Sequence, residues 1–215
     1  MLKSALCNQI RSDIQQGVWH SGQAITQQLL ADYYKVSRIP VRDAIALLAT
    51  EGWLQQKGKA SYQVMVLTAA QALELAEIRA ELEPLALRLA QPQLCHAVIG
   101  AARDQLLLLQ QAEHLTPWQL GQLNWQFHRT LYQPCQRPQL LQLLDHLHAK
   151  AAMYLGFQHQ HLAYASTSDQ QHQQLLELLQ AGHHDEALRL LRVHILDAGQ
   201  QLAQHFAQLE AATTA

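Results

Sequence analysis

The sequence predicts a mainly α-helical protein made of a small mixed domain followed by a larger all-helical domain. Hydrophobic residues make up 49% of the 215 residues and glycine and proline are few, a composition typical of a packed helical protein. The hydrophobic periodicity changes several times in the first 66 residues and is uniformly helical from Thr68 onward. We therefore place the domain boundary between residues 1–67 and residues 68–215.

The first domain begins with two short helices. In "SALCNQIRSDIQQG" the apolar residues recur at helical spacing, and the segment ends at Gly17. In "AITQQLLADYY" a second helix is predicted, with Ile25, Leu29 and Leu30 facing inward.

A third helix and a hairpin complete this domain. In "VSRIPVRDAIALLATEG", Ser37 is a good N-cap, Pro40 lies in the first turn and Gly52 ends the helix. Its inward stripe consists of Val41, Ile45 and Leu48. The segment "WLQQKGKASYQVMV" alternates on each side of Lys57-Gly58-Lys59, which predicts a β-hairpin. Three short helices and a hairpin form a winged helix-turn-helix, which presents its third helix to DNA.

Arg38 and Arg42 lie one helical turn apart and therefore project from the same face of this third helix. Guanidinium groups can contact guanine or clamp phosphates there, and Lys57 and Lys59 flank the hairpin tip. Residues 1–68 carry seven basic and four acidic side chains, a net charge of +3, whereas the remainder carries −5. The asymmetry favours DNA contact by the first domain; the alternative is a solvated basic face.

The hydrophobic pattern of the remaining residues predicts six helices. Thr68 with Gln71 and Thr116 with Gln119 are N-cap signatures. The helices are expected over residues 68–90, 93–112, 117–132, 138–157, 167–181 and 184–208.

The stretch "VSRIPVRDAIALLATEGWL" closely resembles the signature of the GntR family of bacterial transcriptional regulators, whose usual form is VSRTPVREALRRLEAEGLV. The resemblance implies a homodimer that binds a palindromic double-stranded DNA operator. It also implies that Arg38 and Arg42 contact the operator, assisted by Ser37 and by Gly58 at the wing. In this chain Gln28 stands where family members usually have arginine.

Lys35 is a second departure from the family pattern. It replaces the common turn glycine and adds a positive charge beside the recognition helix. We therefore include Lys35 among the expected DNA-binding residues.

Histidines stand out in the helical domain. Asn124 and His128 in "NWQFH" are four residues apart, so they converge on one helix face, and His172 and His194 lie on two later helices. Such a set can build a metal site in a helical bundle. However, the chain has 13 histidines, which supply many accidental pairs, so spacing alone favours a polar surface over a set of ligands.

These pieces, with "AEIRAELEPLALRLA", are similar to the all-helical C-terminal domain of the FadR-type branch, called FCD. The resemblance implies a divalent metal held by Asn124, His128, His172 and His194, at the floor of a cavity for a small organic acid. Three imidazoles favour zinc or nickel. Asparagine replaces the usual aspartate, which raises the net charge of the loaded site from +1 to +2. A metal-free polar effector cavity is the alternative.

Two interpretations of Arg79 are open. By resemblance it points into the cavity and pairs with an effector carboxylate; otherwise it forms a surface salt bridge with Glu83, four residues on. The other histidines, including His146 and His148, are expected to be solvated.

The sequence predicts a cytoplasmic, non-enzymatic regulator. No apolar run is long enough to cross a membrane. The three cysteines, Cys7, Cys95 and Cys135, are far apart and odd in number, which favours buried, reduced thiols. Two other functions are possible: a metalloenzyme acting on small acids, for which the sequence supplies no clear general base, and a regulator whose effector pocket is vestigial.

Overall fold

The computed structural model describes residues 3–58, 61–66, 68–111, 115–161 and 165–214. The chain forms two compact units, residues 1–67 and 68–215. Within the described ranges, none of the helices combines the length and the apolar character that a membrane span requires.

The first unit is a winged helix-turn-helix. The elements are α1 (Lys3–Gln15), β1 (Ala24–Thr26), α2 (Gln27–Tyr34), α3 (Arg38–Thr50), β2 (Leu54–Gln56) and β3 (Ser61–Val64). Strand β3 lies between β1 and β2 and pairs antiparallel with both. The helices α1 and α3 pack around a core in which Ile10, Ile45 and Trp53 are almost fully buried.

Strand β1 differs from the prediction, which placed residues 24–26 in a helix. Ile25 and Thr26 are β-branched and favour an extended backbone, and Thr26 then caps α2 by accepting a hydrogen bond from Leu29 N at 3.2 Å. Ile25 is fully buried as expected, but from a strand. Leu29 is 40% exposed, so its predicted inward position is wrong.

The recognition helix and the wing follow the predicted pattern. Val41, Ile45 and Leu48 of α3 are fully buried. Ser37 lies at the N-cap position, although its side chain makes no capping hydrogen bond. At the hairpin tip, Lys57 N donates to Ser61 O at 3.0 Å.

The second unit is an all-helical bundle. The predicted caps form: Thr68 accepts from Gln71 N, and Thr116 and Gln119 make a reciprocal capping box. Within the described residues the helices are α4 (Ala69–Ala90), α5 (His96–Gln110), α6 (Pro117–Tyr132), α7 (Pro138–His161), α8 (Ala165–Gln180) and α9 (His184–Thr214). Helix α5 begins three residues later than predicted because a 3-10 turn, Gln91–Gln93, precedes it.

Helix α4 packs along α9 at short range. A Cβ added to Gly199 would collide with the Cβ of Ala76, so glycine allows this approach. Cys7 and Cys135 are buried, whereas Cys95 is exposed, which the sequence did not predict.

Candidate DNA-binding face and buried histidine site

The predicted DNA-contacting arginines lie at the N-terminal end of α3. Arg38 and Arg42 are both exposed, on the side of α3 away from its buried stripe. Arg42 is 64% exposed at its side chain and lies 3.3 Å from Asp43 Oδ1. An exposed pair of this kind contributes little stability, so Arg42 can exchange it for a phosphate or a base.

The Arg38 side chain is oriented by α2. Its Nε donates to Gln28 Oε1 at 2.6 Å, and its Nη2 donates to the same oxygen. The amide nitrogen of Gln28 donates in turn to Asp32 Oδ1 at 2.6 Å. Gln28, which stands where family members usually have arginine, therefore orients Arg38.

The remaining predicted DNA-binding residues lie beside α3 and at the hairpin tip. Lys35 is exposed and has a φ of 52°, in the left-handed region that glycine adopts most easily. This conformation explains the common glycine at that turn. Lys57 and Gly58 are exposed at the tip, and Lys59 lies outside the described residues.

Three imidazoles converge inside the second unit. His128 of α6, His172 of α8 and His194 of α9 are all buried, and one ring nitrogen from each lies within 4.8 Å of the others. The Nε2 atoms of His128 and His172 are 3.2 Å apart. Two nitrogen ligands of one tetrahedral ion at ordinary bond lengths stand about 3.3 Å apart, so this pair fits a shared metal.

Hydrogen bonds on the far side of two rings support the same interpretation. His194 Nδ1 donates to Gln171 Oε1 at 2.7 Å, which leaves its Nε2 as the unprotonated nitrogen. His128 Nδ1 lies 3.2 Å from the Tyr132 hydroxyl. Donation from Nδ1 to an outer oxygen is the usual arrangement behind a metal-bound histidine. Nδ1 of His172 is buried and has no hydrogen-bond partner among the described residues.

The carboxylate of Glu83 lies behind this cluster, on α4, and is fully buried. Oε1 accepts hydrogen bonds from Arg79 Nε at 2.7 Å and from His148 Nε2 at 2.9 Å. Oε2 accepts one from the Tyr132 hydroxyl at 2.8 Å. The carboxylate therefore joins residues of α4, α6 and α7 in one polar network.

The buried groups have shifted pKa values. Burial lowers the pKa of His194 to about 4, with a further contribution from the Arg79 guanidinium, and burial likewise lowers that of His148 to about 4. The pKa values of His128 and His172 are held well below 6.5, chiefly by burial. Burial alone would raise the pKa of Glu83, but the Arg79 guanidinium and His148 outweigh it and lower that pKa. At neutral pH the imidazoles are uncharged and the carboxylate is ionised.

Comparison with known proteins decides the family. The family described as "Bacterial regulatory proteins, gntR family" matches residues 2–64, and the family described as "FCD domain" matches residues 74–197. The chain belongs to the FCD branch of the GntR family. It is 30% identical over 176 residues to the "Nta operon transcriptional regulator" of Aminobacter aminovorans, a match that covers 81% of each chain.

Solved structures share the fold of this chain. A GntR family member from Pseudomonas syringae pv. tomato str. DC3000 superimposes with a TM-score of 0.61 and 27% identity, over 98% of this chain and 88% of that one. E. coli McbR/YncC superimposes with a TM-score of 0.72 at 21% identity, over 96% of this chain and 100% of that one. The chain is thus a GntR-type transcriptional regulator, and DNA binding follows from its first domain.

The structure brings together His128, His172 and His194, three of the four residues that the FCD resemblance implies as metal ligands. Their role as metal ligands stays a prediction. Asn124 lies one turn before His128 on α6 and is half-buried. Arg79 does pair with Glu83, but the pair is buried rather than on the surface.

The expectation that His148 is solvated is wrong. Its ring is 2% exposed and stacks on Trp125 at 3.8 Å between centroids. On α7 it continues the buried stripe of Leu141 and Leu144, four residues further on, and this helical spacing was a usable signal. Glu83 and Tyr132 were also missed as site residues, although each lies four residues from a candidate.

Proposed function

We propose that this GntR-type regulator binds a palindromic operator as a homodimer in the cytoplasm, and that DNA binding responds to a small organic acid sensed at a divalent metal ion. The operator contacts would come from Lys35, Ser37, Arg38, Arg42, Lys57, Gly58 and Lys59. The metal ligands would be Asn124, His128, His172 and His194.

The observation that carries the metal proposal is the convergence of three buried, uncharged imidazoles from three helices. Burying so many polar rings together is costly, and a shared ion would offset that cost. The outer hydrogen bonds of His128 and His194 leave Nε2 of each ring as the unprotonated nitrogen. Imidazole donors suit zinc or nickel. When bound, the ion would supply a Lewis-acidic position for a carboxylate oxygen of the effector.

Arg79 is the candidate for the second contact with the effector. It borders a narrow cavity of about 20 Å³ between α4, α7 and α9, lined also by Tyr154 and Gly199. This volume holds about one water molecule. An organic acid would therefore have to widen the cavity and compete with Glu83 for the Arg79 guanidinium, which gives the effector a means to change the helix packing.

Metal content measured by elemental mass spectrometry tests the proposal. Untagged protein purified without chelator should contain near-stoichiometric zinc or nickel, and His194→Ala should lose it. His146→Ala is the matched control, because His146 is an exposed histidine of the same unit. A wild-type protein that neither contains metal nor takes it up when offered contradicts the metal site and favours a metal-free effector pocket.

The effect of asparagine at position 124 has its own test. Asn124→Asp adds a negative charge beside the ion, so metal affinity should rise while the affinity for a carboxylate effector should fall. Calorimetric titration of chelator-treated protein with zinc or nickel measures the first effect. An unchanged metal affinity would remove Asn124 from the ligand set.

A further inference from the structure

The hydroxyl of Tyr132 lies between a carboxylate and a metal-ligand candidate. It is 2.8 Å from Glu83 Oε2 and 3.2 Å from His128 Nδ1. Glu83, Tyr132 and His128 are all fully buried. Tyr132 and His128 are one turn apart on α6, so both rings lie on the same helix face.

Counting protons fixes the direction of these hydrogen bonds. The Glu83 carboxylate can only accept, and its other oxygen is already occupied by donors from Arg79 and His148. The single hydroxyl proton of Tyr132 must therefore point to Glu83 Oε2, because two lone pairs would otherwise face each other at 2.8 Å. The hydroxyl oxygen then accepts from His128, so the imidazole proton lies on Nδ1.

We propose that Glu83 and Tyr132 act as a positioning relay that holds the proton of His128 on Nδ1, and so keeps its Nε2 unprotonated and directed at His172 for metal binding. This inference rests on the metal site proposed above. The relay would make His128 a ligand that needs no tautomer change before it binds an ion.

The relay also accounts for the buried charge pair on α4. Arg79 balances the charge of Glu83, and His148 satisfies the same carboxylate oxygen while its ring is stacked on Trp125. Fixed on these sides, the carboxylate presents Oε2 to Tyr132. Loss of an outer partner of a metal-binding histidine typically lowers metal affinity by about 10- to 100-fold.

The first experiment measures the tautomer without metal. In chelator-treated, ¹⁵N-histidine-labelled protein, long-range ¹H–¹⁵N correlation spectra should show His128 protonated on Nδ1. Tyr132→Phe removes only the hydroxyl and should shift His128 toward the Nε2–H form or a mixture. Thr130→Val is the matched control, because it removes a hydroxyl of the same helix that donates to the Gln126 carbonyl oxygen instead, and its spectrum should match wild type for His128.

The second experiment measures metal affinity by titration with cobalt(II), zinc or nickel. Tyr132→Phe should bind about 10- to 100-fold more weakly than wild type and Thr130→Val. If Tyr132→Phe does not fold, Glu83→Gln serves as the second variant. Its carboxamide would donate to the Tyr132 hydroxyl, which reverses the direction of both hydrogen bonds and should also move the His128 proton from Nδ1 to Nε2.

The outcomes separate the relay from the metal site. An Nε2–H form of His128 in the metal-free wild type overturns the relay, whatever metal does. Equal metal affinity of wild type and Tyr132→Phe overturns it while leaving the metal site intact. If His128 carries its proton on Nδ1 but wild type and Thr130→Val bind no metal, the metal proposal fails and the relay falls with it as a metal-positioning device.

Discussion

Two arginine–carboxylate pairs illustrate how differently the two units use charge. Arg42 and Asp43 of the first unit lie 3.3 Å apart in solvent, with side-chain exposures of 64% and 44%. Arg79 and Glu83 of the second unit lie 2.7 Å apart with exposures of 10% and 0%. Water weakens the first pair and leaves Arg42 available to a polyanion, whereas burial makes each member of the second pair dependent on the other.

The same contrast applies to the residues around each pair. One side chain of the DNA-binding face can be substituted without disturbing the others, because water replaces the hydrogen bonds that it loses. In the histidine site, Arg79, Glu83, Tyr132, His128 and His148 share their hydrogen bonds. A change to one of them therefore alters several others.

The largest expected effect is that of pH on the metal-free protein. The folded pKa values of His148 and His194 are about 4, below the ordinary 6.5, so the unfolded chain binds these protons more readily. Their stabilisation is complete above about pH 6.5 and is lost as pH falls toward 4, at about 1.4 kcal/mol per pH unit for each histidine. Urea unfolding at pH 7.5, 6 and 5 with chelator measures this slope.

His148→Gln should make that slope shallower, because one of the buried histidines no longer gains a proton on unfolding. A slope equal to that of wild type would mean that His148 is not held uncharged in the interior.

The next effect concerns the buried carboxylate. Glu83→Ala leaves the Arg79 guanidinium buried without its partner, and we expect the free energy of unfolding to fall by about 3–5 kcal/mol. Glu81→Ala is the matched control on the same helix, because Glu81 is exposed and pairs with Arg192 at the surface; its cost should stay below about 1 kcal/mol. Equal costs for the two variants would contradict the contrast between a buried and an exposed pair.

A smaller effect is expected on the DNA-binding face. Arg42→Ala should weaken binding to a duplex selected from a random library by about 1–3 kcal/mol, the range for one guanidinium–base contact, while the free energy of unfolding changes by less than about 0.5 kcal/mol. Fluorescence anisotropy measures the affinity. Arg88→Ala removes an exposed positive charge from the second unit and should bind DNA like wild type.

The smallest effect is expected for Gln28→Ala. It releases the Arg38 guanidinium from its hydrogen bonds to α2, and we expect a loss of about 0.5–1.5 kcal/mol in DNA affinity, the net value of an ordinary hydrogen bond. Gln27→Ala, the neighbouring glutamine, is the control. If both variants bind like wild type, Gln28 does not orient Arg38.

The exposed site and the main helices could be predicted from the sequence, because their signals are local. Ser37, Pro40 and Gly52 delimit α3, and the spacing of Arg38 and Arg42 places both on one face. Strand β1 was missed because Ala24–Thr26 acquires its structure by pairing with β3, almost forty residues further along the chain.

The buried network was harder to predict from the sequence, because its contacts are not local. The three histidines were found through resemblance, but Glu83 is linked to His128 through Tyr132 of α6 and also bonds His148 of α7. These contacts depend on the packing of helices distant in sequence. The four-residue spacing offered the Arg79–Glu83 pair as one of two open interpretations, and it did not indicate that the pair is buried.

The most direct test of the metal site is anomalous diffraction from crystals of the full chain grown with zinc or nickel. We expect an anomalous peak about 2.0–2.1 Å from ring nitrogens of His128, His172 and His194, with the Nε2 of His128 facing the ion. A structure in which these rings remain hydrogen-bonded to one another, with the added metal bound elsewhere, would contradict the account.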